Sequence, residues 1–323
     1  MPELWPSFIV APLAVMVALA LDRALGEPPA RCHPVVGMGH YLSFMGQRIA
    51  PLVHTQANHP GIVFALGALA WSLGAVLCVA LAGSLAWALN GWPWWAHALA
   101  LGALLKPMLS WRMLRDEVRA VESALSESLP AGRARLSWLV SRDVTHLSES
   151  EVRESAIETL AENLNDSVVA PLFWLAVAGL PGAALYRFAN TADAMWGYHG
   201  ERSGRDWTWA GKWAARADDV LSWLPARITA VLLAVPGAWQ RLRHLPGQAR
   251  VTPSPNGGWP MAAMALALNV RLAKPGVYIL HPAGRSPTPT DTAQALRLCS
   301  RVIGGLATLA GFTALLIGWR SYS

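Results

Sequence analysis

The sequence has few charged residues for its length. Asp, Glu, Lys and Arg make up 14% of the 323 residues, whereas an average soluble protein carries about 25%. Hydrophobic residues account for 54% of the chain, and the mean hydropathy is +0.32. This balance excludes an ordinary soluble domain and indicates an integral membrane protein.

Cysteines are also scarce, and this excludes two kinds of site. Cys32, Cys78 and Cys299 are odd in number and widely spaced. Neither a disulfide framework nor a zinc motif is therefore indicated.

No nucleotide-binding fingerprint is present. Lys212 follows Gly211 but lacks the earlier glycine and the Ser or Thr of a P-loop, and Gly37 with Gly39 does not have the dinucleotide spacing. Any ATP site must therefore be built differently. The formal charge of +6 does not indicate nucleic acid, because the basic residues are not gathered on one helix face with interleaved aromatics.

Six apolar segments are candidate membrane crossings. Three are continuous apolar runs, at residues 61–89, 92–105 and 302–319. Three contain Pro, Gly or Arg and could instead be buried or re-entrant, at residues 7–21, 168–186 and 220–235. The predicted fold is all-α: one membrane-embedded domain over residues 1–323, polytopic, with re-entrant or interfacial helices and cytoplasmic polar helices.

Charge asymmetry predicts the orientation. Between Arg241 and Arg301 there are eight Lys and Arg residues and one acid, Asp291, so the positive-inside rule makes this region cytoplasmic. If 168–186 and 220–235 both crossed fully, the polar residues 190–219 and 141–166 would lie on opposite sides. Re-entrant or interfacial hairpins would keep them in one compartment.

An acidic helix is predicted to begin near Glu149. Ser148 and Glu151 form a capping box, and apolar residues follow at helical spacing. Carboxylates then occur at successive i,i+4 steps, at Glu154, Glu158, Glu162 and Asp166. Like charges at this spacing destabilise a helix by about 0.2–0.5 kcal/mol per pair, so something should offset the repulsion.

Two explanations fit this acidic stripe. Charge runs usually form a solvated face. The other explanation is a cation site, because carboxylate oxygens suit Mg²⁺, which commonly links one or two carboxylates to a phosphate. Asn163 and Asn165 add neutral oxygen donors nearby.

A second polar block follows the broken apolar segment. It contains Asn190, Thr191, Asp193, Tyr198, Glu201 and Arg202. Several arginines could bind phosphate or carboxylate in a bidentate manner, although pairing with Asp or Glu is the commoner role of any single one. Nearby tryptophans either stack on a large flat ligand or anchor the chain at the membrane interface; they are Trp196, Trp207, Trp209, Trp213 and Trp223.

A series of short motifs, in order, resembles a known family. They are Leu21-Asp22, Gly26-Glu27-Pro28, residues 33–37 (HPVVG), 141–143 (SRD), 158–171 (ETLAENLNDSVVAP), Asn190-Thr191, Asp193, Gly197-Tyr198, Glu201-Arg202, 216–219 (RADD), 225–227 (PAR) and 254–260 (SPNGGWP). From about Leu21 to Leu272 the chain resembles the CobD/CbiB family of cobalamin biosynthesis, the adenosylcobinamide-phosphate synthases. Glu27, Val144 and Ser167 depart from the family pattern, which usually has Asp, Thr and Gly there.

This resemblance implies an activity. The expected reaction is ATP-dependent amide formation between the remaining propionate of adenosylcobyric acid and aminopropanol or its phosphate, giving adenosylcobinamide or its phosphate. It implies ATP as cosubstrate and Mg²⁺ as cofactor. The expected location is the bacterial inner membrane, with the active face cytoplasmic.

The resemblance also suggests roles for site residues. The expected metal ligands are Glu158, Glu162, Asp166 and Asp193. The expected catalytic residues are Arg142 and Arg202, which would stabilise developing charge, and Asp143 or Glu201 as the base. The expected nucleotide- or substrate-binding residues are Asn163, Asn190, Thr191, Arg227 and Asn256, with loop 254–260 closing over the ligand.

The implied partners are a corrinoid, a small amine and the lipid bilayer. Other membrane enzymes of the pathway and a second copy of the chain are further candidates, and nucleic acid is not. A transporter would also bury carboxylates beside broken helices, although no internal repeat is visible. A non-catalytic membrane scaffold would keep the apolar framework but does not need the combined acidic and arginine blocks.

Overall fold

The computed structural model describes residues 5–53, 59–235 and 239–320. It is mostly helical, which confirms the predicted all-α class. Over the described residues the helices are α1 (Trp5–Leu25), α2 (Pro34–Ile49), α3 (Pro60–Ala88), α4 (Trp94–Leu105), α5 (Trp111–Glu127), α6 (Leu129–Leu136), α7 (Glu149–Leu164), α8 (Ala170–Trp196), α9 (Lys212–Ala234), α10 (Leu245–Ala249), α11 (Gly258–Leu268) and α12 (Pro289–Arg320). Two short antiparallel hairpins pair β1 (Glu201–Arg202) with β2 (Arg205–Asp206) and β3 (Leu272–Lys274) with β4 (Tyr278–Leu280).

The chain divides into two compact units. The first unit consists of Met1–Leu109, Ala170–Ser222 and Ala310–Ser323, and the second of Ser110–Val169 and Trp223–Leu309. Neither unit is a continuous stretch of sequence. The single domain over residues 1–323 stays a prediction.

Within the described residues, three helical stretches are long and apolar enough to cross a membrane: Pro60–Ala88, Glu149–Trp196 and Pro289–Trp319. The first covers the predicted segment 61–89 except for its last residue, and the last contains the predicted segment 302–319. The 29 residues of α3 rise about 44 Å, which exceeds the roughly 30 Å of a bilayer's hydrocarbon core. The chain therefore has the composition and helix lengths of a membrane protein.

Helix α4 is shorter than the sequence suggested. Its 12 residues rise only about 18 Å, and α4 is not among the three described stretches that are long enough to cross a membrane. A crossing by the segment 92–105 stays a prediction. Helix α4 packs on α1. The two helices share an apolar cluster in the first unit that includes Val10, Ala14 and Leu101.

The long stretch 149–196 is broken at Gly179. Ala178 has φ −137° and Gly179 has φ +64°, which a residue without a Cβ adopts readily. A Cβ on Gly182 would lie 2.4 Å from the carbonyl oxygen of Trp174, although eight residues of continuous helix rise about 12 Å. The halves of α8 therefore fold sharply against each other. The predicted break at 179–182 is present, and re-entry of 168–186 and 220–235 stays a prediction.

Several tryptophans of the first unit form its core. Trp196 is 1% exposed; its indole stacks on Trp207 with 6.2 Å between ring centroids, and its Nε1 donates to the carbonyl oxygen of Leu42. Trp213 meets Trp71 edge-on. The hypothesis that this group stacks on a flat ligand is therefore wrong for Trp196 and Trp207, because tertiary packing already occupies their faces.

Gly211 allows its backbone to lie directly against the backbone of Trp196 inside this core. A Cβ there would lie 1.6 Å from the carbonyl oxygen of Trp196, and backbone cannot yield as the end of a flexible side chain does. We expect Gly211→Ala to destabilise the detergent-purified protein by about 1–3 kcal/mol, measured as a lower melting temperature. Gly247→Ala is the matched control, because the space beside Gly247 is open. Equal melting temperatures for the two variants would contradict the packing argument.

Helix α7 is central to the second unit. It packs against α5, α6, α11 and β3. Its predicted start at Glu149 is confirmed: the Ser148 hydroxyl accepts from the Glu151 amide, and the Ser148 amide donates to the Glu151 carboxylate at 2.7 Å. After Leu164 the chain makes a π-helical turn over 165–169, a feature frequent at functional sites.

Candidate functional site

The acidic stripe of α7 begins inside the second unit. Glu154 is 0% exposed and Glu158 is 4% exposed, because neighbouring helices and the β3–β4 hairpin cover this side of α7. These two residues therefore do not belong to a solvated acidic face. Burying a carboxylate is costly unless it is paired or protonated, so each needs a compensating neighbour.

Arg142 is the neighbour of Glu158. One Nη atom of Arg142 donates to the Ser155 hydroxyl and lies 3.4 Å from Glu158 Oε2. Burial nevertheless raises the pKa of Glu158 to about 7, with Arg142 acting in the opposite direction. Glu158 lies in the charged first half of the stretch 149–196, before the apolar residues. It can therefore change protonation near neutral pH.

Arg271 is the cationic neighbour of Glu154. The guanidinium of Arg271, at the start of the β3–β4 region, lies 3.1 Å from Glu154 Oε1, and the Ser150 hydroxyl donates to the same oxygen. The two arginines thus offset the repulsion predicted along the stripe. Both come from outside the helix, so helix spacing alone could not identify them.

Tyr278 completes this cluster and was missed by the sequence analysis. Its phenol, on β4, interacts with the carboxylates of both Glu158 and Glu162, and the phenolic oxygen lies 3.7 Å from Met261 Sδ. Burial raises the pKa of Tyr278 above its usual range, so the phenol stays protonated. The sequence around Tyr278 has no motif that could have revealed it.

Glu162 lies beneath the loop 254–260. A Cβ on Gly257 would lie 2.6 Å from Glu162 Oε1, so the loop backbone approaches this carboxylate closely. The Ser254 hydroxyl accepts from the amides of Asn256 and Gly257 at 3.2 and 3.0 Å, which holds the turn. We predicted that this loop covers the ligand, and it lies against the acidic helix α7.

Arg227 is held by the same loop. Its guanidinium donates to Asn256 Oδ1 at 3.0 Å and lies over the rings of Trp223 and Trp259, 4.2 and 4.6 Å from their centroids. Cation–π contacts with these two rings orient the guanidinium. The structure thus brings together Arg227 and Asn256, which were both predicted to bind nucleotide or substrate.

The π-helical turn connects to the same part of the second unit. Thr229 donates to Asn165 Oδ1 at 3.0 Å, and Asn165 Nδ2 donates to Asp166 Oδ1 at 2.8 Å. Because regular α geometry ends at Leu164, these bonds rather than i,i+4 spacing set the position of Asp166.

Two further predicted residues have local structural contacts. Asn163 Nδ2 donates to the carbonyl oxygen of Thr159 within α7. The exposed Asp143 accepts from the amide and hydroxyl of Thr145 at 2.8 and 2.7 Å, and these bonds hold the pKa of Asp143 below its usual range. A lowered pKa makes a weaker base, so Asp143 is poorly suited to the base role.

The predicted metal ligands divide between the units. Glu158, Glu162 and Asp166 belong to the second unit and Asp193 to the first. In the described parts of the chain no group of three or more His, Cys, Asp and Glu side chains converges as a metal cage. Mg²⁺ is usually held by one or two carboxylates together with substrate phosphates, a requirement that the second unit's carboxylates fit.

The remaining site predictions fall in the first unit. Asn190 Nδ2 lies 3.5 Å from Asp218 Oδ1, and the Thr191 hydroxyl donates to the carbonyl oxygen of Arg187. The Asp193 carboxylate lies over Gly197, where a Cβ would come within 2.0 Å of Oδ1. The absence of a side chain at Gly197 therefore leaves space for the Asp193 carboxylate.

Glu201 and Arg202 are exposed on the β1–β2 hairpin of the first unit. The Arg202 guanidinium lies 3.7 Å from the centroid of the Tyr198 ring. This cation–π contact favours one orientation of the Arg202 side chain.

Comparison with known proteins identifies relatives along most of the chain. A profile of the CobD/Cbib protein family matches residues 15–299. The chain is 41% identical over 274 residues to the probable cobalamin biosynthesis protein CobD of Methanothermobacter thermautotrophicus, covering 82% of this chain and 85% of that protein. It is 40% identical over 320 residues to the cobalamin biosynthesis protein CobD of Chromobacterium violaceum, covering 95% and 97%. The corresponding protein of Rhodobacter capsulatus is 37% identical over 319 residues, covering 94% and 97%. No solved structure matches. The chain therefore belongs to the CobD/CbiB family, and its role lies in cobalamin biosynthesis.

Proposed function

We propose that this protein is an adenosylcobinamide-phosphate synthase: an ATP-dependent ligase that joins adenosylcobyric acid to aminopropanol or aminopropanol phosphate. The observation that carries the proposal is the cluster in the second unit, in which the buried Glu158 faces Arg142 and Tyr278 while Glu162 lies under Gly257. Such a cluster combines a carboxylate whose pKa is raised by burial with an arginine held beside it. A membrane scaffold has no need of it.

The reaction requires an activated carboxylate. An oxygen of the corrinoid propionate attacks the terminal phosphorus of ATP, ADP leaves, and an acyl phosphate forms. The neutral amine then attacks the carbonyl carbon, and phosphate leaves as the amide bond forms. Arg142 and Arg227 suit the transferring phosphoryl group, because guanidinium forks match phosphate oxygens and offset developing charge.

The amine must lose a proton before or during attack. Glu158, with a pKa raised to about 7 by burial, suits this step, since a general base works best when its pKa is near the operating pH. We therefore assign the base role to Glu158, which the resemblance suggested as a metal ligand, in preference to Asp143 or Glu201. Glu162 and Asp166 would hold Mg²⁺ on the nucleotide phosphates, where it supplies charge neutralisation.

Tyr278 is proposed as a positioning residue for Glu158. Its hydroxyl interacts with Glu158 and favours the ionised form. Tyr278→Phe should therefore raise the pKa of Glu158 and move the acidic limb of the kcat/KM profile to higher pH by up to about one unit, with little change above pH 9. A uniform decrease at every pH would instead indicate a packing role.

A reconstitution assay tests the function itself. The full chain, purified in detergent, is incubated with ATP, Mg²⁺, adenosylcobyric acid and aminopropanol or its phosphate, and the products are identified by mass spectrometry. We expect an amide product formed together with ADP and phosphate, and none when ATP is omitted. Transport of a corrinoid into proteoliposomes without amide formation would instead support the transporter alternative.

A cytoplasmic active face at the bacterial inner membrane is part of the proposal. It is supported by the apolar helices α3 and α12 and by the basic region between Arg241 and Arg301, because Lys and Arg accumulate on the cytoplasmic side.

A further inference from the structure

A polar groove lies on a side of the second unit that the proposed chemistry does not use. It has a volume of about 560 Å³ and is lined by side chains of α5, α7 and α12. They include Arg119 and Ser123 of α5, Arg153 of α7 and Arg297 of α12. Of the described residues that line it, none belongs to the site assigned above to amide formation. It is called the α5–α12 groove below.

Two arginines of the α5–α12 groove have donors available for a ligand. Arg297 is exposed and forms no ion pair or hydrogen bond with a described residue. One Nη atom of Arg119 lies 3.9 Å from Asp116 Oδ1, an oxygen that already accepts from Arg115 at 2.8 Å. Both guanidiniums can therefore bind an anion, and guanidinium donors match the oxygens of a phosphate.

Glu122, an acid in the groove wall, is already compensated. It accepts from Arg153 Nε at 2.9 and 3.1 Å and from the Thr292 hydroxyl at 2.8 Å. Arg153 also lies 2.7 Å from the exposed Glu149. The charged residues of the groove and their ion-pair partners are positive in sum, even when Arg112, a further partner of the α5 acid, is left out. They are four arginines, Arg115, Arg119, Arg153 and Arg297, and three acids, Asp116, Glu122 and Glu149. An anion is therefore attracted to the groove.

The α5–α12 groove ends where α12 becomes apolar. Arg297 comes five residues before Val302, the start of the apolar run, so the two lie about 7.5 Å apart along the helix axis. Helix α12 is long and apolar enough to cross a membrane. Lipid phosphates lie at the edge of the hydrocarbon core of a bilayer, so a crossing by α12 places the groove at their depth.

The face of α12 that lines the groove continues into the apolar run. Gly304 comes four residues, about one helical turn, after the groove residue Ser300. Gly304 is exposed, and a Cβ at this position would meet no described atom within 4 Å. An acyl chain can therefore lie beside Gly304 while its phosphate contacts the arginines. A soluble phosphate compound would not use this apolar surface.

We propose that the α5–α12 groove binds the headgroup phosphate of an anionic membrane phospholipid. Arg119 and Arg297 would donate to the phosphate oxygens, and an acyl chain would lie beside Gly304. Basic pockets at the cytoplasmic ends of membrane helices bind anionic headgroups in this way. The lipid would join α5 to α12 at the membrane surface, and its binding does not depend on the amide-forming activity.

Photo-crosslinking with competition tests the proposal. The full chain in a neutral detergent is labelled with phosphatidylglycerol that carries a diazirine on one acyl chain, and labelled peptides are identified by mass spectrometry. We expect labelling within residues 302–309, the part of α12 that follows the groove. Unlabelled phosphatidylglycerol should displace the probe about tenfold better than phosphatidylcholine with the same acyl chains, because each nearby arginine favours an anionic lipid.

Charge variants separate the groove from the general surface charge. Arg297→Gln and Arg119→Gln should each lower the apparent affinity for phosphatidylglycerol about tenfold, the loss expected for one hydrogen bond to a charged donor. Both side chains are exposed, so the melting temperatures should stay close to that of the parent. Arg250→Gln is the matched control and should leave the affinity unchanged, because Arg250 is also exposed in the second unit and does not line the groove.

Four results would overturn the proposal. Equal displacement by phosphatidylcholine and phosphatidylglycerol would show that the groove does not select an anionic headgroup. An equal loss of affinity in Arg250→Gln would assign the preference to general surface charge. Displacement by glycerol 3-phosphate would show that the ligand is a soluble phosphate compound, and displacement by ATP would assign the groove to a nucleotide.

Discussion

Glu158→Gln is expected to abolish amide formation and at the same time to make the protein more stable at pH 8. The loss of activity follows from removal of the proposed proton acceptor, and a decrease of about 10²–10⁴-fold in kcat is typical of losing a general base. The gain in stability has a separate cause, which is the burial of Glu158.

The sign of the stability effect follows from linkage. Burial raises the pKa of Glu158 from 4.5 to about 7, so between these values the folded protein binds more protons than the unfolded chain. Protonation of Glu158 therefore adds to the free energy of unfolding. This contribution is complete below pH 4.5 and is lost as the pH rises through about 7. At pH 8 the ionised carboxylate therefore costs the folded state on the order of 3 kcal/mol, and glutamine, which is neutral, avoids that cost.

The measurement is a pair of melting curves in detergent. We expect Glu158→Gln to melt several degrees above the parent at pH 8 and at the same temperature at pH 4.5, since about 1 kcal/mol corresponds to roughly 2–4 °C in a chain of this size class. Glu127→Gln is the control, because Glu127 is exposed at the end of α5. Retained activity in Glu158→Gln would remove Glu158 from the mechanism. A lower melting temperature at pH 8 would show that its ion pair with Arg142 outweighs its desolvation.

Glu162→Gln is expected to remove magnesium-dependent turnover while the protein still inserts into the membrane and folds. The Glu162 carboxylate lies under Gly257, where the phosphates of a nucleotide covered by loop 254–260 would come close. Losing one anionic oxygen ligand should lower kcat/KM about a hundredfold or more at fixed Mg²⁺.

A magnesium titration separates the two possible reasons for such a loss. If Glu162 holds the ion, a higher Mg²⁺ concentration should restore part of the activity of Glu162→Gln, and the melting temperature should remain close to that of the parent. Glu127→Gln again serves as the control and should keep the parent's magnesium requirement. Turnover within about twofold of the parent would exclude the acidic stripe from magnesium binding.

Local features of the second unit were predictable because they depend on residues close in sequence. The capping box of Ser148 and Glu151 determines where α7 begins, and the i,i+4 spacing of Glu154, Glu158 and Glu162 follows from the helix itself. The break at Gly179 was predictable for the same reason, since a Gly–Leu–Pro–Gly sequence interrupts a helix locally.

Features that depend on distant residues were not predictable in this way. Burial of Glu154 and Glu158 requires α11 and the β3–β4 hairpin, about a hundred residues further along the chain. The packing of Trp196 on Trp207 likewise depends on the turn that precedes α9. The helical periodicity of apolar residues and the helix propensity of a segment do not indicate which of its faces a later segment will cover.

The sequence by itself determined the membrane character, the helical class, the acidic helix and, through its ordered motifs, the family. Hydrophobicity and i,i+4 periodicity are properties of consecutive residues, so they can be read without coordinates. Only the tertiary structure decided that the acidic stripe is partly buried and that Arg142, Arg271 and Tyr278 contact its carboxylates. It also decided that Arg119 and Arg297 line one groove. Desolvation and pairing depend on neighbours brought together by folding, and it is these that set the protonation of Glu158.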